Sequence, residues 1–162
     1  MERRKQYIKD HSLKAYSNRT ETNPFYGKVL CGECGGAFGR KSWSSKGTTR
    51  KVWQCNKRYE VKGVYGCSNR HIDENTIEQV FDIAWDTIID NIEKCRAKWE
   101  GQSQSADLLT AYRAKDFLKI IEKEEYLDEI DADFVIRVLD NITVYENGKI
   151  VVRFYDGTEI EY

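Results

Sequence analysis

Cys31, Cys34, Cys55 and Cys67 follow the pattern C-x2-C, twenty residues, C, eleven residues, C, and no other feature limits the fold of this chain so narrowly. A C-x2-C turn supplies two sulfurs from one tight knuckle, and two further cysteines complete the tetrahedral ligand set of a structural zinc site. Gly32, Gly35 and Gly36 surround the first pair, and their backbone freedom lets the chain fold over a metal. The spacing predicts a four-cysteine zinc ribbon holding one structural Zn2+. His71, four residues past Cys67, is an alternative ligand, because three cysteines and a histidine also form a zinc set. A redox C-x2-C would sit beside a β-α-β pattern, and none flanks Cys31. Disulfides require an oxidising compartment, whereas the chain carries no secretory signal. Cys95 falls in a helical pattern and reads as a small buried apolar side chain.

The formal net charge of -1 argues superficially against a polyanionic partner. Its distribution reverses that impression. Residues 1–72 hold 16 Lys+Arg and 5 Asp+Glu, a balance of +11, and residues 73–162 hold 10 and 22, a balance of -12. Such asymmetry points to a basic surface for a polyanion and an acidic remainder. The competing reading is two solvated faces. No apolar run approaches the roughly 20 residues of a membrane span, so the chain is expected to be soluble and cytoplasmic, with no membrane partner.

Hydrophobic period and turn residues divide the chain further. Glu2 to Tyr16 contains Arg3, Arg4, Lys5, Lys9 and Lys14 without Gly or Pro, which predicts an exposed basic helix. Ser17 to Pro24 reads as a linker. Tyr26 to Leu30 is expected to form a short strand, and Phe38 to Ser45 and Thr49 to Gln54 flank Ser45-Lys46-Gly47-Thr48, a hairpin signal. Asp73 is a candidate N-cap for a long helix, in which Ile77, Phe81, Ala84, Ile88, Ile92 and Cys95 make one apolar stripe.

Gly101 to Ser105 interrupts that pattern, and a second helix from Ala106 to Lys123 carries Leu109, Tyr112, Leu118 and Ile121, folding back antiparallel on the first. A third helix runs from Asp131 through Phe134, Val135 and Leu139. Ile142 to Tyr145, Ile150 to Tyr155 and Thr158 to Tyr162, joined by Asn147-Gly148 and Asp156-Gly157, give a β-meander, since both dipeptides favour hairpin turns. Asp128, Glu129, Asp131 and Asp133 lack the loop pattern of a calcium site and read as a solvated acidic face. The fold class is therefore α+β. Four segments are expected: a basic linker helix and loop (1–23), a zinc ribbon (24–72), a helical segment with a short coiled-coil-like hairpin (73–141), and a C-terminal meander packing back on the ribbon (142–162).

The run Asn23-Pro24-Phe25-Tyr26-Gly27-Lys28-Val29-Leu30-Cys31-Gly32-Glu33-Cys34-Gly35 resembles the zinc-ribbon module of large serine recombinases. Val52-Trp53-Gln54-Cys55, Gly66-Cys67 and the strand-turn-strand Ile142 to Gly157 share the resemblance, and Glu2-Arg3-Arg4-Lys5 is similar to the segment leading out of that family's middle domain. The resemblance implies a part in DNA integration, excision or transposition. In that family the nucleophilic serine belongs to an N-terminal catalytic domain, for which this chain has no counterpart. Ser12, Ser17, Ser42, Ser44, Ser45, Ser68, Ser103 and Ser105 lie outside its motif, so no catalytic residue is assigned and the chain is not expected to be an enzyme alone. Many members carry a long antiparallel coiled coil for contact between protomers; the helices around Gly101 to Ser105 are shorter.

The resemblance implies that the ribbon grips part of a double-stranded attachment site, with other recombinase protomers and a directionality factor as further partners. The candidate DNA contacts are Arg40, Lys41, Lys46, Arg50, Lys51, Lys57, Arg58, Lys62 and Arg70. Arg40, Arg50 and Arg58 suit base reading, because a guanidinium bonds guanine with two donors, and the lysines suit phosphate. Trp43 and Trp53 lie among these charges and read first as packing over a small zinc core. Trp85 and Trp99 read as helix core or interface. Four thiolates leave no open metal position, so the zinc is expected to be structural rather than catalytic.

Overall fold

In the computed structural model, which describes Asp10 and residues 23–122 and 131–162, the Lys46-Gly47 turn sets the first hairpin. Both residues take positive φ, 48° and 81°, the combination that matches the twist of paired strands. Strands β2 (Phe38–Ser45) and β3 (Thr48–Cys55) thereby pair antiparallel from Ser45↔Thr48 to Phe38↔Cys55. A two-residue strand β4 (Ile72–Asp73) adds to β3 and completes a three-stranded sheet.

The expected strand at Tyr26 to Leu30 forms later, as β1 (Val29–Cys31), and it joins a different sheet. It pairs parallel with β5 (Leu139–Val144), Val29 opposite Ile142 and Cys31 opposite Val144. β6 (Ile150–Phe154) and β7 (Glu159–Glu161) continue that sheet antiparallel, in the order β1-β5-β6-β7. The tip between β5 and β6 is closed by Gly148 N–H to the Tyr145 carbonyl at 3.1 Å, and Asn147 Oδ1 accepts from Lys149 N–H at 3.0 Å.

The long helix is divided in two. Helix α1 spans Glu74–Asp90 and α2 spans Ile92–Gln102. Asn91 between them leaves helical geometry (φ -112°, ψ 27°), and its side-chain amide donates to the Thr87 carbonyl at 2.9 Å. Thr87 Oγ1 donates to the Ile83 carbonyl at 2.8 Å. These side chains compete with the backbone ladder, so the stripe Ile77-Phe81-Ala84-Ile88 ends there, while Ile92 and Cys95 are only partly buried on the next helix. Asp73 precedes α1 with extended backbone but makes no capping bond; its carboxylate faces Arg50 at 3.6 Å instead.

Helix α3 (Leu108–Ile121) packs on α2, with the Trp99 and Phe117 rings 5.2 Å apart. Asp107 caps it, accepting from Thr110 N–H at 3.0 Å. Its inward face is Ala111, Ala114, Phe117 and Ile121; of the residues favoured by the sequence Ile121 is buried and Leu118 partly buried, whereas Leu109 and Tyr112 are 49% and 69% exposed. Small alanines there let α2 and α3 approach. Helix α4 (Ala132–Val138) is capped by Asp131 and stops where Leu139 enters β5, three residues before the strand's expected start.

The core lies between α1 and the four-stranded sheet. Phe81 contacts Phe25, Phe134 and Phe154 at ring separations of 5.8, 6.2 and 6.3 Å, and Trp85 meets Phe134 edge-on at 4.8 Å. Asp156, in the turn after β6, accepts from Trp99 Nε1 at 2.8 Å and Lys98 Nζ at 3.0 Å, tying the helical pair to the sheet. Apart from Asp10, the basic helix expected at Glu2 to Tyr16 lies outside the described residues, as do most of the linker after it, Asp128 and Glu129. No helix among the described residues is long and apolar enough to cross a membrane.

Candidate zinc centre and nucleic-acid interface

Each of the four cysteines is delivered by a different local device. Cys31 ends β1, so its position is fixed by the pairing with β5. The chain then reverses in the knuckle: Gly35 N–H donates to the Cys31 carbonyl at 2.9 Å, and Cys31 N–H donates to the Gly36 carbonyl at 2.8 Å. Gly35 adopts a φ of 68°, a conformation that strains other residues. Gly32 is required for space, because a Cβ there would lie 2.3 Å from the Tyr145 ring. Cys55 ends β3. Cys67 follows a loop closed by Gly66 N–H to the Arg58 carbonyl at 2.9 Å and Cys67 N–H to the Lys57 carbonyl at 3.3 Å.

The four sulfurs all lie within 4.8 Å of one another, with Cys31–Cys67 at 3.5 Å and Cys34–Cys55 at 3.4 Å. A tetrahedron of sulfurs around zinc at about 2.3 Å has an edge of about 3.8 Å, so the arrangement fits that ion. The separations are far beyond a disulfide bond of about 2.05 Å, and all five cysteines are free. His71 is outside the cluster; its ring lies 4.4 Å from that of Trp43.

Asn69, fully buried, binds the cluster to the C-terminal sheet. Its Nδ2 donates to Cys31 Sγ at 3.1 Å and to the Val144 carbonyl at 2.7 Å. Both partners are acceptors, which fixes the orientation of the amide. Sequence reasoning misses this residue, whose only signal is a polar amide two positions after a ligand. Burial pushes the Cys31 thiol up, but the hydrogen bonds from Asn69 and from the Cys34 and Glu33 backbone outweigh it and bring the thiol below its ordinary value. Burial raises Cys55, and it pushes Cys67 up to about 11. Cys31 is thus the thiol best prepared to meet a cation as thiolate, while Cys55 and Cys67 must release protons to it.

The basic candidates do not form one patch. Register and strand alternation place Lys41, Trp43 and Arg50 on one face of the β2–β3 hairpin, and Arg40, Ser42 and Lys51 on the other. Arg40 is forked onto Glu74, Nε–Oε1 at 2.6 Å and Nη2–Oε2 at 2.9 Å. Arg50 lies between Asp73 and the face of Trp43, 5.4 Å from the ring centroid. Arg58 donates to the Asn69 carbonyl at 2.9 Å. All three arginines favoured for base reading are therefore engaged inside the protein.

Lys51 donates to the Ser42 hydroxyl at 2.5 Å, and Lys57 lies over the knuckle and donates to the Cys34 carbonyl at 3.2 Å. Lys46 and Lys62 are exposed at the hairpin tip and the following loop, Lys41 is half-buried, and Arg70 is exposed beside Gly148. Trp53 is fully buried, in keeping with core packing, whereas Trp43 is half-exposed against His71 and Arg50. Trp85 and Trp99 are core.

Residues 24–85 match the family model of the recombinase zinc beta ribbon domain. This segment is similar to a recombinase zinc ribbon. The match covers all four cysteines, the hairpin and the first part of α1. A crystal structure of an LSR–DNA complex, LSR standing for large serine recombinase, shares the fold with a TM-score of 0.60 over 96% of this chain, at 10% identity. The present chain spans 62% of that protein's length. A structure concerned with the Listeria innocua prophage attP site aligns with a TM-score of 0.42 and 11% identity, over 94% of this chain and 50% of that one. No curated protein sequence matches the chain. β1, inside the matched segment, pairs with β5 and so joins that segment to the C-terminal meander in one sheet.

Proposed function

We propose that this chain is a DNA-binding module of a site-specific serine recombinase, in which one structural zinc ion in Cys31, Cys34, Cys55 and Cys67 holds a basic hairpin rigid against duplex DNA. The observation that carries this reading is the match of residues 24–85 to the recombinase zinc beta ribbon domain, a segment that holds ten Lys+Arg against six Asp+Glu. Zinc neutralises the packed thiolates and fixes the knuckle. The chain's own residues do the binding. Lys41, Lys46, Lys51, Lys62 and Arg70 supply phosphate contacts, since none of them is held in an ion pair among the described residues. Arg40 and Arg50 act first as struts through Glu74 and Asp73, and Arg58 through the Asn69 carbonyl; reading a base requires each to exchange that partner.

Site recognition belongs to the same proposal: the module prefers part of an attachment half-site to random sequence. Gel-shift titration of the zinc-loaded chain on the half-site taken from its own mobile element and on a scrambled duplex tests it. Tighter binding to the half-site is the expected result, and equal binding to both refutes sequence choice.

A second reading concerns the helical pair. α3 exposes Leu108, Leu109 and Tyr112, at 83%, 49% and 69%, which supports contact with another recombinase protomer or a directionality factor. Sedimentation with and without DNA checks it, and a monomer in both conditions leaves no role for self-association through α3.

A further inference from the structure

The loop between Cys55 and Cys67 has an exposure that the zinc site does not explain. Tyr59, Val61, Val64 and Tyr65 are 63%, 60%, 56% and 55% exposed, four large apolar side chains on one short protrusion. The backbone that presents them is held. Two hydrogen bonds close its base beside Cys67, and Val64 N–H donates to the Val61 carbonyl at 3.1 Å across the tip. The Tyr59 and Tyr65 rings meet edge-on at 5.7 Å, and the Arg58 guanidinium lies 5.0 Å from the Tyr65 centroid and 5.9 Å from that of Tyr59. An apolar tip kept exposed on a fixed frame marks an interaction surface.

Charge selects the partner. Lys62 is exposed at the tip, and Lys57 and Arg58, bonded to the Cys34 and Asn69 carbonyls, add positive charge at the base against a single acid, Glu60, within the basic portion of the chain. A surface both cationic and apolar at its tip suits a polyanion that offers apolar groups between its charges. The major groove of duplex DNA does this: phosphates line both edges, the thymine C5-methyl projects from its floor, and the groove is wide enough for a helix or a two-stranded ribbon and so for a short turn.

Resting on the DNA-binding reading above, we propose that the 59–65 loop enters the major groove and sets Val61 and Val64 against thymine methyl groups, with Lys62 on the adjacent phosphate. The loop thereby reads A·T pairs through apolar contact, a specificity element separate from the arginines of the hairpin.

The test is fluorescence anisotropy of the full zinc-loaded chain on two labelled duplexes, alternating dA-dT and the same duplex with deoxyuridine replacing every thymidine, which deletes only the methyls. Burying two methyl groups predicts about tenfold tighter binding to the thymidine duplex. In Val61→Ser/Val64→Ser the two duplexes should bind alike, near the wild-type affinity for deoxyuridine. Equal binding of both duplexes by the wild-type chain overturns the proposal without needing the variant. Discrimination that survives in the variant assigns the methyl contact elsewhere and also overturns it, as does a variant unaltered on DNA but defective in binding another protein. Absence of salt-sensitive binding to either duplex removes the DNA-binding reading itself.

Discussion

Asn69→Ala should damage the zinc centre and the sheet behind it together. The wild-type amide makes two bonds from a fully buried position, to Cys31 Sγ at 3.1 Å and to the Val144 carbonyl at 2.7 Å. A hydrogen bond to a charged acceptor is worth about 1.5–3 kcal/mol. The Val144 carbonyl keeps a second donor, Gly32 N–H at 2.8 Å, so its share of the loss is nearer the neutral value of about 1 kcal/mol. The variant should therefore lose about 3 kcal/mol of stability by denaturant unfolding in zinc. Loss of a group that orients a metal ligand typically lowers metal affinity about 10- to 100-fold, which chelator competition measures. Asn69→Asp should be worse despite its matching shape, since it sets a carboxylate oxygen against the Cys31 thiolate. An alanine variant that keeps its zinc affinity and stays within about 0.5 kcal/mol of the parent, the range of an ordinary surface substitution, would refute the coupling.

Cys55→Ser should unfold the ribbon, because structural zinc contributes about 10 kcal/mol or more to folding in such sites; a chain that retains its β2–β3 hairpin by NMR after complete chelation contradicts this. Zinc affinity should rise with pH through neutrality, since Cys55 and Cys67 are raised by burial and still hold protons there, and the release of these two protons alone sets a minimum slope of about 100-fold per pH unit; titration at two pH values checks it. Asp156 is driven up by burial but more strongly down by its bonds from Thr158, Trp99 and Lys98. Its stabilising contribution should be fully present above its ordinary value of 3.8 and disappear as pH falls through the lower folded value. Asp156→Asn should flatten that acid limb of the stability profile, and an unchanged limb would exclude Asp156 as its source.

The cysteine cluster is legible in the sequence because its signal is local. C-x2-C, the glycines around it and the Lys46-Gly47 turn state their geometry within a few residues, and β2 spans the very residues expected before that turn. What escapes the sequence depends on distant partners. Nothing near Val29 indicates that its strand partner is Ile142, so local pattern assigns β1 to the ribbon alone. Asn91 lies inside an unbroken apolar stripe, and its power to divide the helix comes from a side-chain bond that periodicity does not register. The arginines read as free in the sequence, yet Glu74 and Asp73, which engage Arg40 and Arg50, meet them only after β4 lies beside β3. On α3 Leu109 and Tyr112 look like core in the sequence, while packing turns Ala111 and Ala114 inward beside Phe117 and Ile121. In each case tertiary contact overrides a local pattern.

The central claim is that zinc holds a basic surface in a form that binds duplex DNA. Anisotropy titration of a labelled duplex at about 50 and 200 mM salt, with the chain zinc-loaded and then chelated, tests it most directly. If Lys41, Lys46, Lys51, Lys62 and Arg70 each neutralise one phosphate, affinity should fall about 500-fold between those concentrations, and binding should collapse when the metal is removed. Affinity that is insensitive to salt, or equal in the loaded and chelated chains, would contradict the account.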